Sequence, residues 1–367
     1  MKSIPFSEAF RDLTSKYSKI PKSKFLESGS FPIIDQGRGK TAGYFHDVAS
    51  AVDNGEVVIF GDHTRAVKFA DGPFALGADG TKVLKPVFGL FPRYAYRWLQ
   101  AQEVTSLGYS RHFKLLKELS VPVCDEEEQR RIAEILDKAD VLRAKRRETI
   151  DYLDDLGQSI FHKMFAGLSG DSVTLRDSSL RFVGGRNMVG AGVNAHPTKK
   201  VLKVNAASSG EFDGSQVKPL PLDYDPPAEH RVVAGDLIVT RASGTKSLIG
   251  VATLVDFVPS ETYLPDKLWK AITNPELLHA EYFRFLTRST AYRKYVSNAA
   301  SGAAGVNNIS QAKLLDFRLV LPPIELQKAF AYRIAAIESL KTTYRTQLIE
   351  LDNLFLSLQD RAFKGEL

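Results

Sequence analysis

Two stretches of this chain carry apolar side chains at helical spacing for much longer than a surface helix needs. In the first, Ile132, Ile135, Ala139, Leu142, Leu153, Leu156 and Ile160 recur on one stripe that Arg146 and Thr149 interrupt. In the second, Ile334, Ile337, Leu340, Tyr344, Leu348, Leu351, Phe355 and Leu358 do the same. Spacing sustained over several heptads predicts a coiled-coil seam, with each helix the natural partner of the other. Pro122 precedes Asp125, a good N-cap, with Glu128 three residues on; Pro322 and Pro323 mark the second start. Gly167 and Gly365 stand where a left-handed residue commonly closes a helix. Each helix then spans about 40 residues, on the order of 60 Å at 1.5 Å per residue.

Elsewhere the apolar runs are short. Val57–Phe60, Val67–Ala70, Val83–Lys85, Leu237–Thr240 and Ile249–Leu254 read as strands separated by Gly, Pro and Asp turns, so the globular parts are mixed α/β. These blocks recur in order. GEVVIF at Gly55–Phe60 matches GDLIVT at Gly235–Thr240, Lys82–Lys85 matches Lys267–Lys270, and Tyr96–Leu99 matches Phe283–Leu286. A single offset of 198 then carries Gln129 to Gln327, Phe165 to Phe363 and Gly167 to Gly365. Collinear repetition of strand, helix and long-helix blocks predicts a duplicated module. The expected organisation is a first globular domain over residues 1–121, a central long helix over 122–167, a second domain over 168–321 and a C-terminal long helix over 322–367.

Composition excludes several classes. A chain of 367 residues that is 44% hydrophobic and 25% charged can bury more than one core, and it has neither a disordered nor a fibrous composition. MKSIPFSEAFRDL lacks an apolar signal region, and no apolar run approaches the roughly 18 residues that span a bilayer, so a cytoplasmic location and no membrane partner are expected. Cys124, the single cysteine, excludes an intrachain disulfide or a cysteine zinc cluster, and the seven histidines show no metal-ligand spacing. The net charge of +6 is unevenly distributed: residues 1–120 hold 17 Lys+Arg against 12 Asp+Glu, and 166–321 hold 18 against 14. The helical parts hold 8 against 11 and 6 against 6. Excess positive charge on both domains but on neither helix is the distribution expected if the domains meet a polyanion and the helices meet protein.

The polar loops carry the candidate chemistry. In the first domain they and their flanking segments offer Arg38, Lys40, Tyr44, His63, Thr64, Arg65, Lys68, Lys82 and Arg111; in the second, Arg241, Ser243, Thr245, Lys246, Lys267, Asn307 and Asn308. Arg and Lys reach phosphate or guanine edges and Asn reads adenine, so the set suits double-stranded DNA. No catalytic residue or metal site is expected. Asp225-Pro-Pro-Ala228 resembles an amino-methyltransferase motif but has alanine in place of the aromatic residue, and no glycine-rich cofactor motif precedes it. A self-contained DNA-modifying enzyme and a protein-only coiled-coil adaptor are the alternatives; the first is disfavoured by the missing motif, the second by the basic domains.

The order of domain, helix with VPxxxEEEQRRIAEIL, second domain and helix with LPPxELQ resembles the DNA specificity subunit of type I restriction-modification systems along essentially the whole chain. Phe60–Arg65 with Gly77–Lys82 is similar to one class of that family's target recognition domains, and Gly235–Arg241 with the later SGAAGxNNIS to another. The resemblance implies a non-catalytic subunit with two target recognition domains in pseudo-twofold repeat, each reading one half of a split DNA site. It also implies that the two helices form an antiparallel coiled coil that sets the spacer. Two modification subunits using S-adenosylmethionine and ATP-driven restriction subunits with Mg are the implied partners, and no cofactor is expected in this chain.

Overall fold

The computed structural model describes residues 2–77, 79–87, 89–108, 110–186, 195–207, 211–303 and 305–367. It is mixed α/β and divides into two compact units, Met1–Glu148 with Tyr344–Leu367, and Thr149–Thr343. Each unit therefore holds one globular part together with a segment of both long helices, Glu126–Phe165 and Ile324–Lys364.

In the first unit an antiparallel sheet runs in the order Phe10–Asp12, Thr81–Pro86, Val57–Gly61, Val67–Ala70. Its central strand is apolar at every position because both of its faces are covered. Val58 and Phe60 pack with Phe6, Tyr94, Trp98 and Leu116, while Val57 and Ile59 pack with Leu13, Ile34 and Phe74. A smaller sheet joins Gly43–Phe45, Phe31–Ile34 and Ala75–Leu76, the last pair parallel. The second unit repeats this topology with Arg181–Gly184, Leu268–Ile272, Leu237–Thr240 and Ala252–Leu254, all antiparallel. It also repeats the smaller sheet with Val217–Pro221, Ala195–Leu202 and Thr262–Tyr263, again ending in a parallel pair. Among the described residues a further sheet, of Ala242–Ser243, Val306–Asn308 and Ser301–Ala303, has no counterpart in the first unit. The strand expected over 249–254 begins at Ala252, because the 3-10 turn Lys246–Leu248 runs into Ile249 and Gly250 has φ +74°.

The long helices start and stop where the sequence indicates. The Asp125 carboxylate accepts the Glu128 N–H at 2.9 Å, and Gly167 and Gly365 take φ of +76° and +80°. Within each unit the two helical segments run antiparallel, Arg143 and Arg147 meeting Asp352 in the first and Asp154 meeting Lys341 in the second. Both segments also join the core of the globular part. Ile132, Leu136, Phe355 and Ala362 do so in the first unit; Phe161, Phe330, Ile334 and Ile337 do so in the second.

The seam differs from the one drawn from the sequence. Leu142 is 55% exposed, Leu156 40% and Leu340 47%, while Leu136, Phe161 and Phe330 are buried in their place. A straight α-helix drifts about 20° per heptad from a strict seven-residue repeat, which carries extrapolated positions off the buried face. Ile135, Ala139, Leu153, Ile160, Tyr344, Leu348, Leu351 and Leu358 are half-buried. Gly157 is buried, and a Cβ there would lie 3.0 Å from the Phe285 ring, so the missing side chain lets that aromatic ring approach the helix.

Charged residues replace apolar ones in the helical pairing, and the repeat governs them too. In the first unit buried Arg97 meets Asp140 at 3.0 Å, Asp140 meets Arg143 at 3.1 Å, and Arg143 meets Asp352 at 2.5 Å. In the second, Arg284 meets Glu338 at 3.1 Å, Glu338 meets Lys341 at 3.3 Å, and Lys341 meets Asp154. Arg97 corresponds to Arg284, Asp140 to Glu338, Arg143 to Lys341 and Asp154 to Asp352. Each relay runs from domain arginine to helix acid, to helix base, to an acid on the other helix. Gln129 and Gln327, both fully buried, form a second matched pair. Gln129 accepts the Phe91 N–H at 2.7 Å and donates to the Gly89 and Cys124 carbonyls; Gln327 accepts the His279 N–H at 2.9 Å and donates to the Leu277 and Pro322 carbonyls.

Candidate nucleic-acid interface

In the first unit the candidate loops converge at the ends of the central sheet. The Gln36 side chain accepts the His63 N–H at 3.2 Å and donates to the Asp79 carbonyl at 3.2 Å, while the Thr64 hydroxyl donates to the Gln36 carbonyl. The Asp62 N–H donates to the Gly80 carbonyl at 2.6 Å. Buried Asp62 accepts the Phe113 N–H at 2.7 Å on its carboxylate and the His112 N–H at 2.9 Å on its carbonyl. Three loops distant in sequence, around 36, 62 and 79, are thereby one body, to which 112 is tied.

The basic side chains on this body differ in availability. Arg38, Lys40 and Arg111 are exposed, as are Thr64 and Arg65; Tyr44 and His63 are half-buried. Arg65 has φ +62° and donates to the Val104 carbonyl at 2.9 Å, which aims its side chain along the loop surface. Lys82 is shared between Asp12 at 3.2 Å and the Phe113 ring at 4.8 Å. At Asp12, burial pushes the carboxyl up, but hydrogen bonds from Thr14 and Lys82 outweigh it and hold it below the usual range. Lys68, expected from the sequence as a DNA contact, is instead a buried strand residue. It is 8% exposed, lies opposite buried Ile59 in the sheet, and donates to the Asp35 carbonyl at 2.7 Å. Burial lowers its affinity for a proton, with the Asp35 charge opposing that shift. Strand alternation points Lys68 inward, which an isolated K in a VKFA block does not reveal.

In the second unit the sheet without a counterpart brings the loops together. Ser243 pairs with Asn307 and Ala242 with Asn308, and the Arg241 N–H donates to the Lys267 carbonyl at 2.9 Å. The Arg241 guanidinium donates to the Asp266 carbonyl at 3.1 Å and lies 5.8 Å from the Trp269 ring centre. The Thr245 N–H donates to the Ser243 hydroxyl at 3.1 Å, and Thr245, Lys246, Lys267 and Asn308 are exposed. Ala78, Tyr109 and Ala304, which belong to the sequence blocks of these loops, lie outside the described residues. Gln36, Asp62 and His112 were not among the candidate contacts drawn from the sequence, although each lies in or beside a candidate loop; their roles depend on partners 27 to 50 residues away in sequence.

The Asp225 carboxylate is exposed and pairs with Lys199 at 2.5 Å, which holds it below the usual carboxylate range. Among the described residues there is no group of three His, Cys, Asp or Glu that could hold a metal, and no helix long and apolar enough to cross a membrane.

No family model matches the chain. Among curated proteins it is 27% identical over 177 residues to the type I restriction enzyme EcoKI specificity subunit of Escherichia coli K12, a match covering 47% of this chain and 37% of that protein. It is 32% identical over 128 residues to the EcoEI specificity subunit of Escherichia coli, covering 35% and 21%. A 20% identity over 317 residues relates it to the StySPI specificity subunit of Salmonella potsdam, covering 77% and 67%. The chain thus spans about a third of the first of these relatives and a fifth of the second. Among solved structures, the S subunit of a type I restriction-modification system from M. genitalium superposes with a TM-score of 0.56 at 14% identity, over 99% of this chain and 96% of that one. A chain from a study of complex assembly and conformational transition of the type I R-M system gives 0.54 at 14%, over 100% and 98%. Sequence relatives and solved folds coincide on one family, and it is the specificity subunits of type I restriction-modification systems that this chain resembles.

Proposed function

We propose that this chain is the sequence-recognition subunit of a type I restriction-modification complex and catalyses no step itself. The observation that carries the reading is one framework built twice with two different loop systems. The strand order of the sheets, the buried glutamine and the ion relay correspond between the two units, whereas the loop body around Gln36 and Asp62 and the sheet joining 242–243 to 306–308 do not. A repeated frame suits repeated docking; unlike loops suit the two unlike halves of a split DNA site. Excess positive charge on both globular parts supports contact with phosphate. In this reading each globular part is a target recognition domain, the two long helices set the number of unread base pairs, and two methyltransferase subunits dock on this frame in the cytoplasm. S-adenosylmethionine, ATP and Mg would be held by the modification and restriction partners.

Methylome sequencing of the host with and without the gene tests this. The expected result is loss of methyladenine from one asymmetric two-part sequence with a fixed gap. Unchanged methylation, or loss from an unsplit palindrome, overturns the reading.

A further inference from the structure

One buried histidine joins the loop body of the first unit to the segment that precedes it, adding to the Arg65 bond to the Val104 carbonyl a second tie at Leu107. His112 is completely buried. The Leu107 N–H donates to its Nε2 at 3.0 Å, so Nε2 carries the lone pair. Nδ1 then carries the proton and donates to the Asp62 carbonyl at 2.8 Å. Both ring nitrogens are thus used, one on each segment, by a neutral ring with a single tautomer. Asp62 closes the arrangement with its own N–H on Gly80 and its carboxylate on the Phe113 N–H. Next to Asp62 stand His63, Thr64 and Arg65; between Leu107 and His112 stands Arg111.

We propose that His112 is a positioning residue for the first unit: through Asp62 and Leu107 it fixes the Arg65 loop and the Arg111 segment in one relative placement, the one in which both meet the DNA. This rests on the DNA-recognition reading above. Rigid placement matters because a contact to a base edge discriminates only when its donors arrive already aligned; a loose loop still reaches phosphate but no longer separates one base from another.

Two replacements separate the ring's two bonds. In His112→Asn the amide N–H occupies the place of Nδ1–H and keeps the Asp62 bond but loses Leu107. In His112→Gln the longer amide oxygen can accept from Leu107. Amide hydrogen exchange of the full chain reads the staple itself, and selection of bound duplexes from a randomised pool reads discrimination. For selection the chain is reconstituted with modification subunits from the same host. His112→Asn should raise exchange at Leu107 at least tenfold. It should also cut discrimination in the half-site read by the first unit about tenfold, leave the other half-site unchanged, and be partly rescued by Gln. Unchanged exchange at Leu107 overturns the staple, and raised exchange with unchanged discrimination overturns its positioning role. A wild-type chain that selects no sequence overturns the DNA-recognition reading, which the exchange result identifies separately.

Discussion

Replacing Gln129 with leucine keeps the bulk of the side chain and removes three hydrogen bonds at once. The Phe91 N–H and the Gly89 and Cys124 carbonyls lose their partner. Gly89 is exposed, so water recovers that carbonyl; the other two groups are half-covered and remain orphaned. An orphaned buried group costs about 1–3 kcal/mol, so the change should destabilise the first unit by about 3 kcal/mol. With a urea slope of about 2 kcal/mol per molar for a unit this size, the midpoint should fall by about 1.5 M. Urea titration followed by far-UV circular dichroism, with hydrogen exchange at Phe91 assigning the transition, measures it. Gln129→Glu adds a pH signature. A carboxylate facing two carbonyls is disfavoured, so its folded pKa is raised above the ordinary value near 4.3. Its deficit relative to wild type should therefore be full at neutral pH and shrink as pH falls through that folded pKa, when the protonated acid can donate again. A midpoint shift below about 0.3 M for Gln129→Leu, no larger than for exposed Glu148→Gln, would refute the account of the glutamine as the joint between helix and domain.

Arg97→Met should cost about 2 kcal/mol in the same titration, because it removes the buried guanidinium shared by Asp137 and Asp140 and leaves them only the outer partners Arg93 and Arg143; Arg97→Lys, which keeps the charge and loses the fork, should cost about a third of that. At Glu338, burial raises the pKa, but the charges and hydrogen bonds of Lys341 and Arg284 outweigh it and hold the carboxyl below its ordinary value. Its contribution is thus present above about pH 4.3 and lost as pH falls through the folded pKa, so the stability gap between wild type and Lys341→Met should narrow on acidification in pH-dependent unfolding. Affinity for duplex DNA, measured by fluorescence anisotropy on the assembled methyltransferase, should fall at least tenfold between about 50 and 200 mM salt; a flat response would exclude phosphate neutralisation by the basic domains. Arg65→Ala and Lys246→Ala should each relax discrimination in a different half of the selected sequence, read by duplex selection.

Much of the frame was legible because it depends on local chemistry. Apolar runs without alternation marked the strands Val57–Gly61 and Leu237–Thr240, since strands covered on both faces need no polar side. Asp125, Gly167 and Gly365 marked helix ends, because capping is decided within one turn. The repeat offset also led to Gln129 and Gln327 as matched positions, though nothing in one dimension says that they bond to loops some 40 to 50 residues away. The seam was less legible. Heptad spacing placed Leu142, Leu156 and Leu340 inside, but ion pairs occupy part of the helical contact and the drift of a straight helix moves those leucines outward. Lys68 failed for a related reason: a lysine buried by strand alternation has the same letter as one in solvent.

By itself the sequence determined that there are two copies, in what order their parts come, where the long helices begin and end, and that the excess of positive charge lies on the globular parts. These follow from periodicity, capping and composition, which act over a few residues or over the whole chain. Only the tertiary structure decided which segments form one body. Each compact unit takes helical segments from both halves of the sequence, and each relay ends on an acid contributed by the other helix. It also decided that Gln36, Asp62 and His112 gather the first unit's loops while a three-stranded sheet gathers the second's. Such contacts join residues far apart in the chain, and their energy depends on geometry that folding sets after the local choices are made.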